Sequence, residues 1–309
     1  MRFTLAVSLA LAFSTTSAVP TWNMRRQTGV TDADILQYAL TLEHLENAFY
    51  KKALSEMGPE EFTAAGFSAD FYNQLKYVAH DEEGHVVYLE AALKAAGVAP
   101  VAACEYQFPY TDAASFVKLA SVIEGVGVSA YLGAAADITE KAYLTVAGAI
   151  LVTEALHQAA QRNAVGEIPM ANVFGTPMGI NAVYTIAAPF IKSCPATNAA
   201  LPVKSYPALS IISGMPTAPM AMINFAPKEM PTGTVFATFV SGLEIMSVPV
   251  TMGSDFMSAT VPAMVAGQSY LFLTSDDSGM VDDSTVIAGP AIVEITPDAP
   301  QFDLSILKA

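Results

Sequence analysis

Positive charge is scarce in this chain. Fourteen lysines and arginines stand against 29 acids over 309 residues, a net charge of −15. Such a balance argues against nucleic acid or an anionic membrane as a partner and gives a mild attraction for cations. Cysteine is nearly absent, with only Cys104 and Cys194. In an oxidising compartment these two form one disulfide; the alternative is a pair of buried thiols. Although 53% of the residues are hydrophobic, no apolar run beyond the N-terminus reaches the roughly 20 residues a membrane span needs. No Asn-x-Ser/Thr sequon occurs, so N-glycosylation is not expected.

What is present falls into three parts. Residues 1–18 carry Arg2, the apolar run "LAVSLALAF" and a small-residue end "TSA". That is the pattern of a secretory leader, and it predicts a secreted protein of the extracellular space or cell wall. Its removal takes one arginine and no acid. Residues 19–200 are Ala-rich with helical periodicity. Residues 205–309 are rich in Val, Thr, Ser, Pro, Gly and Met, and alternate. The junction, "CPATNAALPVKSYP" at 194–207, contains three prolines.

The helical half predicts four long helices: from "TDAD" to about Met57, from Ser68 to Gly97, from "YTDAAS" to about Gly133, and from about Ile138 to Val165. Helices of about 25 residues would be about 38 Å long, the scale of a four-helix bundle. "GINAVYTIAAPFI" reads as a shorter fifth helix. In the second half, seven alternating segments separated by Gly/Pro/Asp turns predict a β-sandwich of immunoglobulin-like type, with Pro249 and Pro262 at edges or bulges. The fold class is therefore α plus β: a four-helix bundle followed by a sandwich.

Histidine is rare too, with four in the whole chain. Two of them close the same motif. Glu82 and His85 lie three apart on the second long helix, and Glu154 and His157 three apart on the fourth. Residues so spaced share a helix face. The first and third helices carry another matching pair, Glu43 with Tyr50 and Glu124 with Tyr131, each seven apart. Both members of that pair are offset by 81 residues, and the Glu-x-x-His copies by 72. The chain thus repeats a helical hairpin. One Glu from each of two helices plus Glu-x-x-His from each of the other two is the donor set of a dinuclear metal site. Without metal, four glutamates in an Ala-rich interior would be driven toward neutrality. The alternative is a hydrogen-bonded polar cluster that no longer holds metal.

The repeat also ranks the neighbours. Glu43, not Glu46, matches Glu124 in its spacing to tyrosine, and Gly127 stands where Glu46 would have a counterpart. Glu46 is expected to support the site or to face solvent. Asp81 is expected to hydrogen-bond His157, as carboxylates behind a ligand do; Thr153 takes that place in the other copy. Tyr50 and Tyr131 are expected to hydrogen-bond site carboxylates, with a redox role as the alternative. Glu83, His44 and His80 read as exposed or partly exposed.

The segments "TLEHLENAFY", "HDEEGHVVYLEAAL", "VIEGVGVSAYLGAA", "ILVTEALHQAAQR" and "PFIKSCPATNAALPVKSYPAL" resemble the ferritin-like superfamily, and within it a secreted fungal branch associated with stress response or late sexual development. The resemblance spans most of residues 31–210 and includes both cysteines. It implies metal ligands Glu43, Glu82, His85, Glu124, Glu154 and His157, holding two metal ions, iron first and manganese second. Leu156 departs from the arginine common in that branch. The resemblance implies the fold well and the activity poorly.

Nothing in the second half groups into a catalytic site. Nine of the fourteen methionines lie between Met215 and Met280; core filling is the expected role, a soft-metal site the alternative. "SDDSGMVDDS" lacks calcium-loop spacing and reads as a solvated hairpin loop. Tyr270 is expected on a late strand, near a tyrosine corner. Two functions compete. One is an oxidoreductase whose metal pair reacts with O₂ or peroxide. The other is a structural cell-surface or matrix protein whose bundle only sequesters iron or has lost metal. A ferritin cage is not expected, because the β-domain would crowd assembly.

Overall fold

The computed structural model describes residues 29–212, 214 and 218–300. The leader expected at 1–18 and Met215 lie outside these residues. The helical half contains α1 (Asp32–Glu56), α2 (Pro59–Ala64), α3 (Ala69–Ala95), α4 (Ala113–Ala134), α5 (Lys141–Ala164) and α6 (Ile180–Ala187). Two short strands, β1 (Glu105–Tyr106) and β2 (Ile191–Ser193), pair antiparallel beside the Cys104–Cys194 disulfide.

Local chemistry sets the helix starts. Thr31 accepts the Asp34 amide and Asp34 returns the bond to Thr31, a capping box. Ser68 caps α3 and Asp112 caps α4. The fourth long helix starts at Lys141 rather than Ile138. Asp32, at the head of α1, accepts the amides of Thr139 and Glu140, each at 2.8 Å. Those amides are thereby held in a loop, and Glu140 becomes the cap of α5. α2 is an element the periodicity missed. Pro59 sits at its first position, Glu61 accepts the Gly58 amide, and the fully buried Phe62 plugs the aromatic cluster of Phe49, Tyr72 and Phe116.

α1 packs on α3 and α4 on α5, the two hairpins of the repeat. The long α3–α4 connection is the crossover that joins them. α4 is long and apolar enough to cross a membrane by length and composition, yet 72% of its apolar window is buried inside the protein.

The second half forms two four-stranded antiparallel sheets. One has the order β10 (Val286–Ile295), β9 (Gly267–Thr274), β5 (Phe236–Ser241), β6 (Glu244–Pro249). The other has the order β3 (Leu209–Ile211), β4 (Met222–Pro227), β8 (Met257–Thr260), β7 (Thr251–Met252). Their facing sides enclose Phe225, Phe239, Met257, Leu271, Leu273 and Val293. Successive strand residues point to opposite faces. The other face of β5 and β9 presents Val240, Tyr270 and Phe272 to the helical core. The central strands β5 and β9 are buried on both sides, which explains why "SYLFL" is apolar almost throughout rather than alternating. Pro249 ends the edge strand β6, as expected, and Pro262 lies just past β8.

Three expectations need correction here. Tyr270 does reach a late strand, but its hydroxyl meets Ser129 Oγ at 2.7 Å and the Gly125 carbonyl at 3.2 Å on α4, so it joins the two halves instead of making a tyrosine corner. The acidic loop between β9 and β10 is not only solvated: Asp283 accepts from Asn181 and Tyr206 and pairs with Lys204. The methionines divide, with Met257 in the core and Met220, Met222, Met252 and Met264 exposed.

Candidate metal centre

The six residues of the repeat converge between the hairpins. Glu43, Glu82, Glu124 and Glu154 have no exposed surface, and His157 is 6% exposed. His85 is slightly more open, at 12% of its side chain. Two four-residue groups have ligand atoms within 4.8 Å of one another: Glu43, Glu82, His85 and Glu154, and Glu82, Glu124, Glu154 and His157. Glu82 and Glu154 belong to both. The geometry therefore has two adjoining positions, each with its own glutamate and histidine, and two carboxylates shared between them.

Both histidines turn Nδ1 inward. His85 Nδ1 lies 3.2 Å from Glu43, 3.3 Å from Glu82 and 3.4 Å from Glu154. His157 Nδ1 lies 2.9 Å from Glu82 and 3.2 Å from Glu124. On its far side, His157 Nε2 stands 3.3 Å from Asp81 Oδ2, the pairing expected from sequence. Thr153, in the place equivalent to Asp81, bonds its own helix at Ala149, so the support is one-sided as expected.

The tyrosines cross over. Tyr50 of the first hairpin donates to Glu124 of the second, and Tyr131 of the second donates to Glu43 of the first. Burial raises both hydroxyls well above the usual phenol range, and the adjacent carboxylate adds to it. Gln161 completes the arrangement by bonding Tyr50 and standing 3.4 Å from Glu124. Sequence reading missed Gln161. Its signal was there, one helical turn past His157 on the same face of an Ala-rich helix.

Other residues fall as follows. Glu46 is 4% exposed, so the solvent-facing option is excluded. His44 is also buried, contrary to expectation, because its Nε2 bonds the Val101 carbonyl on the crossover at 3.0 Å, away from the cluster. His80 is exposed, and Glu83 is exposed beside Lys51. Leu156 points outward, 66% exposed.

The donor chemistry fits two divalent cations. Among the described residues, neither oxygen of Glu154 accepts a hydrogen bond, nor does Glu82 Oε1, although all three are fully buried. His157 Nδ1 is near Glu82 Oε1 in distance but not aligned for a hydrogen bond. Buried carboxylate oxygens left this way are costly unless a cation meets them. Burial, then the Glu124 charge, lifts Glu82 to about 7, and burial, then Glu82, raises Glu154 strongly. Burial alone would lower His157, but the Glu124 and Glu82 carboxylates outweigh it and hold its pKa at about 11.

These shifts share one sign. A group whose pKa is higher folded than unfolded contributes stability at low pH that is lost as pH rises through the folded value. For Glu82 the window runs from the ordinary carboxylate range up to about 7, and for His157 from about 6.5 up to about 11. Metal-free protein is therefore expected to melt at a lower temperature at pH 8 than at pH 6. Metal-loaded protein, whose ligands are already deprotonated, should not show that fall. Thermal melts with and without chelator check this, and a chelated protein equally stable at both pH values would contradict it.

A bundle that brings paired Glu-x-x-His motifs and two further glutamates to one buried point defines a class, the ferritin-like proteins. Residues 31–167 match the model of the ferritin-like domain family, and this helical part of the chain is a ferritin-like domain. The chain is also similar to Protein rds1 of Schizosaccharomyces pombe, 26% identical over 249 residues. That alignment takes in 80% of this chain and 61% of the relative, so the chain spans about three-fifths of the length of the curated protein it matches. A crystal structure of a conserved hypothetical protein, rv2844, from Mycobacterium tuberculosis aligns at a TM-score of 0.37 and 23% identity. It covers 46% of this chain and 96% of its own.

Proposed function

We propose that this protein holds two transition-metal ions, iron first and manganese second, at the Glu/His cluster and reacts there with O₂ or peroxide as an oxidoreductase. The observation that carries the reading is the pair of overlapping donor groups with Glu82 and Glu154 common to both. Glu43 and His85 would serve one ion, Glu124 and His157 the other. A bound metal pair would supply a place for the oxidant and electrons to reduce it. The protein's own part is to orient and to exclude water. Tyr50 and Tyr131 fix Glu124 and Glu43, Asp81 fixes the His157 ring, and Gln161 fixes Tyr50. The two phenols also keep a proton at each carboxylate they contact, in a site almost closed to solvent.

An extracellular location and a role in stress or development belong to the same proposal. They rest on the leader pattern of residues 1–18, the disulfide and the fungal resemblance. We also read the sandwich as immunoglobulin-like. The orders β3-β4-β8-β7 and β10-β9-β5-β6 follow the A-B-E-D and G-F-C pairing of that fold, with one added edge strand.

The test is elemental analysis of protein purified without added chelator, followed by O₂- and peroxide-consumption assays. About two iron or manganese ions per chain together with turnover support the reading. Metal without turnover would leave sequestration, and a folded protein that takes up no metal would leave a structural role.

A further inference from the structure

Glu46 lies one helical turn beyond Glu43 on α1, on the same face. It is 4% exposed. Burial drives its carboxyl well above the usual range, and the charges of Glu154, Glu82, Glu43 and Glu124 add to the effect in that order. Among the described residues, no tyrosine hydroxyl bonds Glu46 as Tyr131 bonds Glu43 and Tyr50 bonds Glu124.

The opposing position is where the repeat breaks. Glu46 follows Glu43 by three residues, and Gly127 follows Glu124 by three. A Cβ built on Gly127 would stand 2.5 Å from Glu154 Oε2 and 3.1 Å from Glu46 Oε1. Both oxygens therefore border the space that the missing side chain leaves. One of them, Glu154 Oε2, is among the buried oxygens that accept no hydrogen bond. One hairpin supplies an extra carboxylate, and the other supplies the room for it.

We propose that Glu46 is a fifth carboxylate of the metal site, entering beside Glu154 through the space left at Gly127. This rests on the reading that the cluster holds two metal ions. Four glutamates balance the charge of two divalent ions. A fifth matches a pair in which one ion is trivalent, so Glu46 both tightens binding and favours the more oxidised pair.

The experiment is a Mn(II) titration of the full chain followed by electron paramagnetic resonance, with iron-loaded protein titrated potentiometrically in parallel. The variants are Glu46→Gln and, as a charge control, Glu83→Gln, whose side chain is 56% exposed. Wild type is expected to take up two Mn(II). Glu46→Gln is expected to bind at least one of them about tenfold or more weakly, and to move the iron midpoint potential to more positive values. Glu83→Gln should change neither. Should Glu46→Gln fail to fold by circular dichroism, Glu46→Asp, which keeps the charge but shortens its reach, takes its place, with weaker Mn(II) binding as the expected result. A Glu46 variant that binds Mn(II) like wild type and leaves the potential unmoved overturns the inference while the metal site stands. Wild-type protein that takes up no metal overturns both.

Discussion

Glu154→Gln is expected to abolish metal uptake at both positions while leaving the bundle folded. Glu154 belongs to both donor groups, so its loss removes a donor from each ion at once. Substitutions of Glu43 or Glu124 should weaken one ion more than the other, because each belongs to one group only. Loss of even an outer partner of a metal ligand costs about 10–100-fold in affinity, and a shared donor should cost more than the upper end of that range. The effect on stability runs the other way when no metal is present. Among the described residues neither buried oxygen of Glu154 accepts a hydrogen bond, and burial with the Glu82 charge disfavours its ionised form. A neutral amide stands in for that largely neutral carboxyl, so metal-free Glu154→Gln should melt no lower than metal-free wild type. Added metal should stabilise wild type by about 2.7 kcal/mol per site at one hundred times the dissociation constant and leave the variant unmoved. Differential scanning with and without Mn(II) reads both signs. A variant that binds metal like wild type would remove Glu154 from the site.

The long helices and the donor set were legible because both depend on spacing along one helix. Caps at Thr31, Ser68 and Asp112 are local chemistry, and Glu-x-x-His places two side chains on one face whatever lies opposite. The internal repeat did more than the motif, since the tyrosine spacing picked Glu43 out of the pair Glu43 and Glu46. What stayed hidden was what each face meets. His44 looked exposed because its partner, the Val101 carbonyl, comes from the crossover 57 residues away. Tyr270 looked like part of a sandwich corner because nothing near it in sequence reveals that its sheet is covered by α4. Glu46 reads as either a supporting or a solvent-facing acid, because a missing counterpart at Gly127 reads as an absent acid. In three dimensions the same absence is the room that Glu46 borders. α2 was overlooked for a different reason. At six residues it has too few turns for periodicity, and only Pro59 and Glu61 mark it.

The second large effect is expected at the seam between the halves. Arg162, in the last turn of α5, is 3% exposed and grips Glu294 of β10 with two bonds of 2.7 Å, while also donating to the Ile168 carbonyl. Removing one member of a buried pair strands the other, which costs about 3–5 kcal/mol. Glu294 keeps 21% of its side chain exposed, so Arg162→Ala is expected to lose about 3 kcal/mol, the lower end of that range, in urea unfolding. Arg162→Lys should recover little, because a single ammonium cannot reproduce the two-pronged contact. Replacing both residues together, as in Arg162→Met with Glu294→Met, should recover only part of the loss, since Glu167, 3.4 Å from the guanidinium, is then left without its partner. The consequence reaches the candidate metal centre through the next residue. Gln161 holds Tyr50, which holds Glu124. Loosening the end of α5 should thus weaken the ion at Glu124 and His157 more than the ion at Glu43 and His85. Mn(II) titration of Arg162→Ala should show two unequal affinities where wild type shows a closer pair. Equal weakening of both would mean that the seam supports the bundle as a whole and not this end of the site.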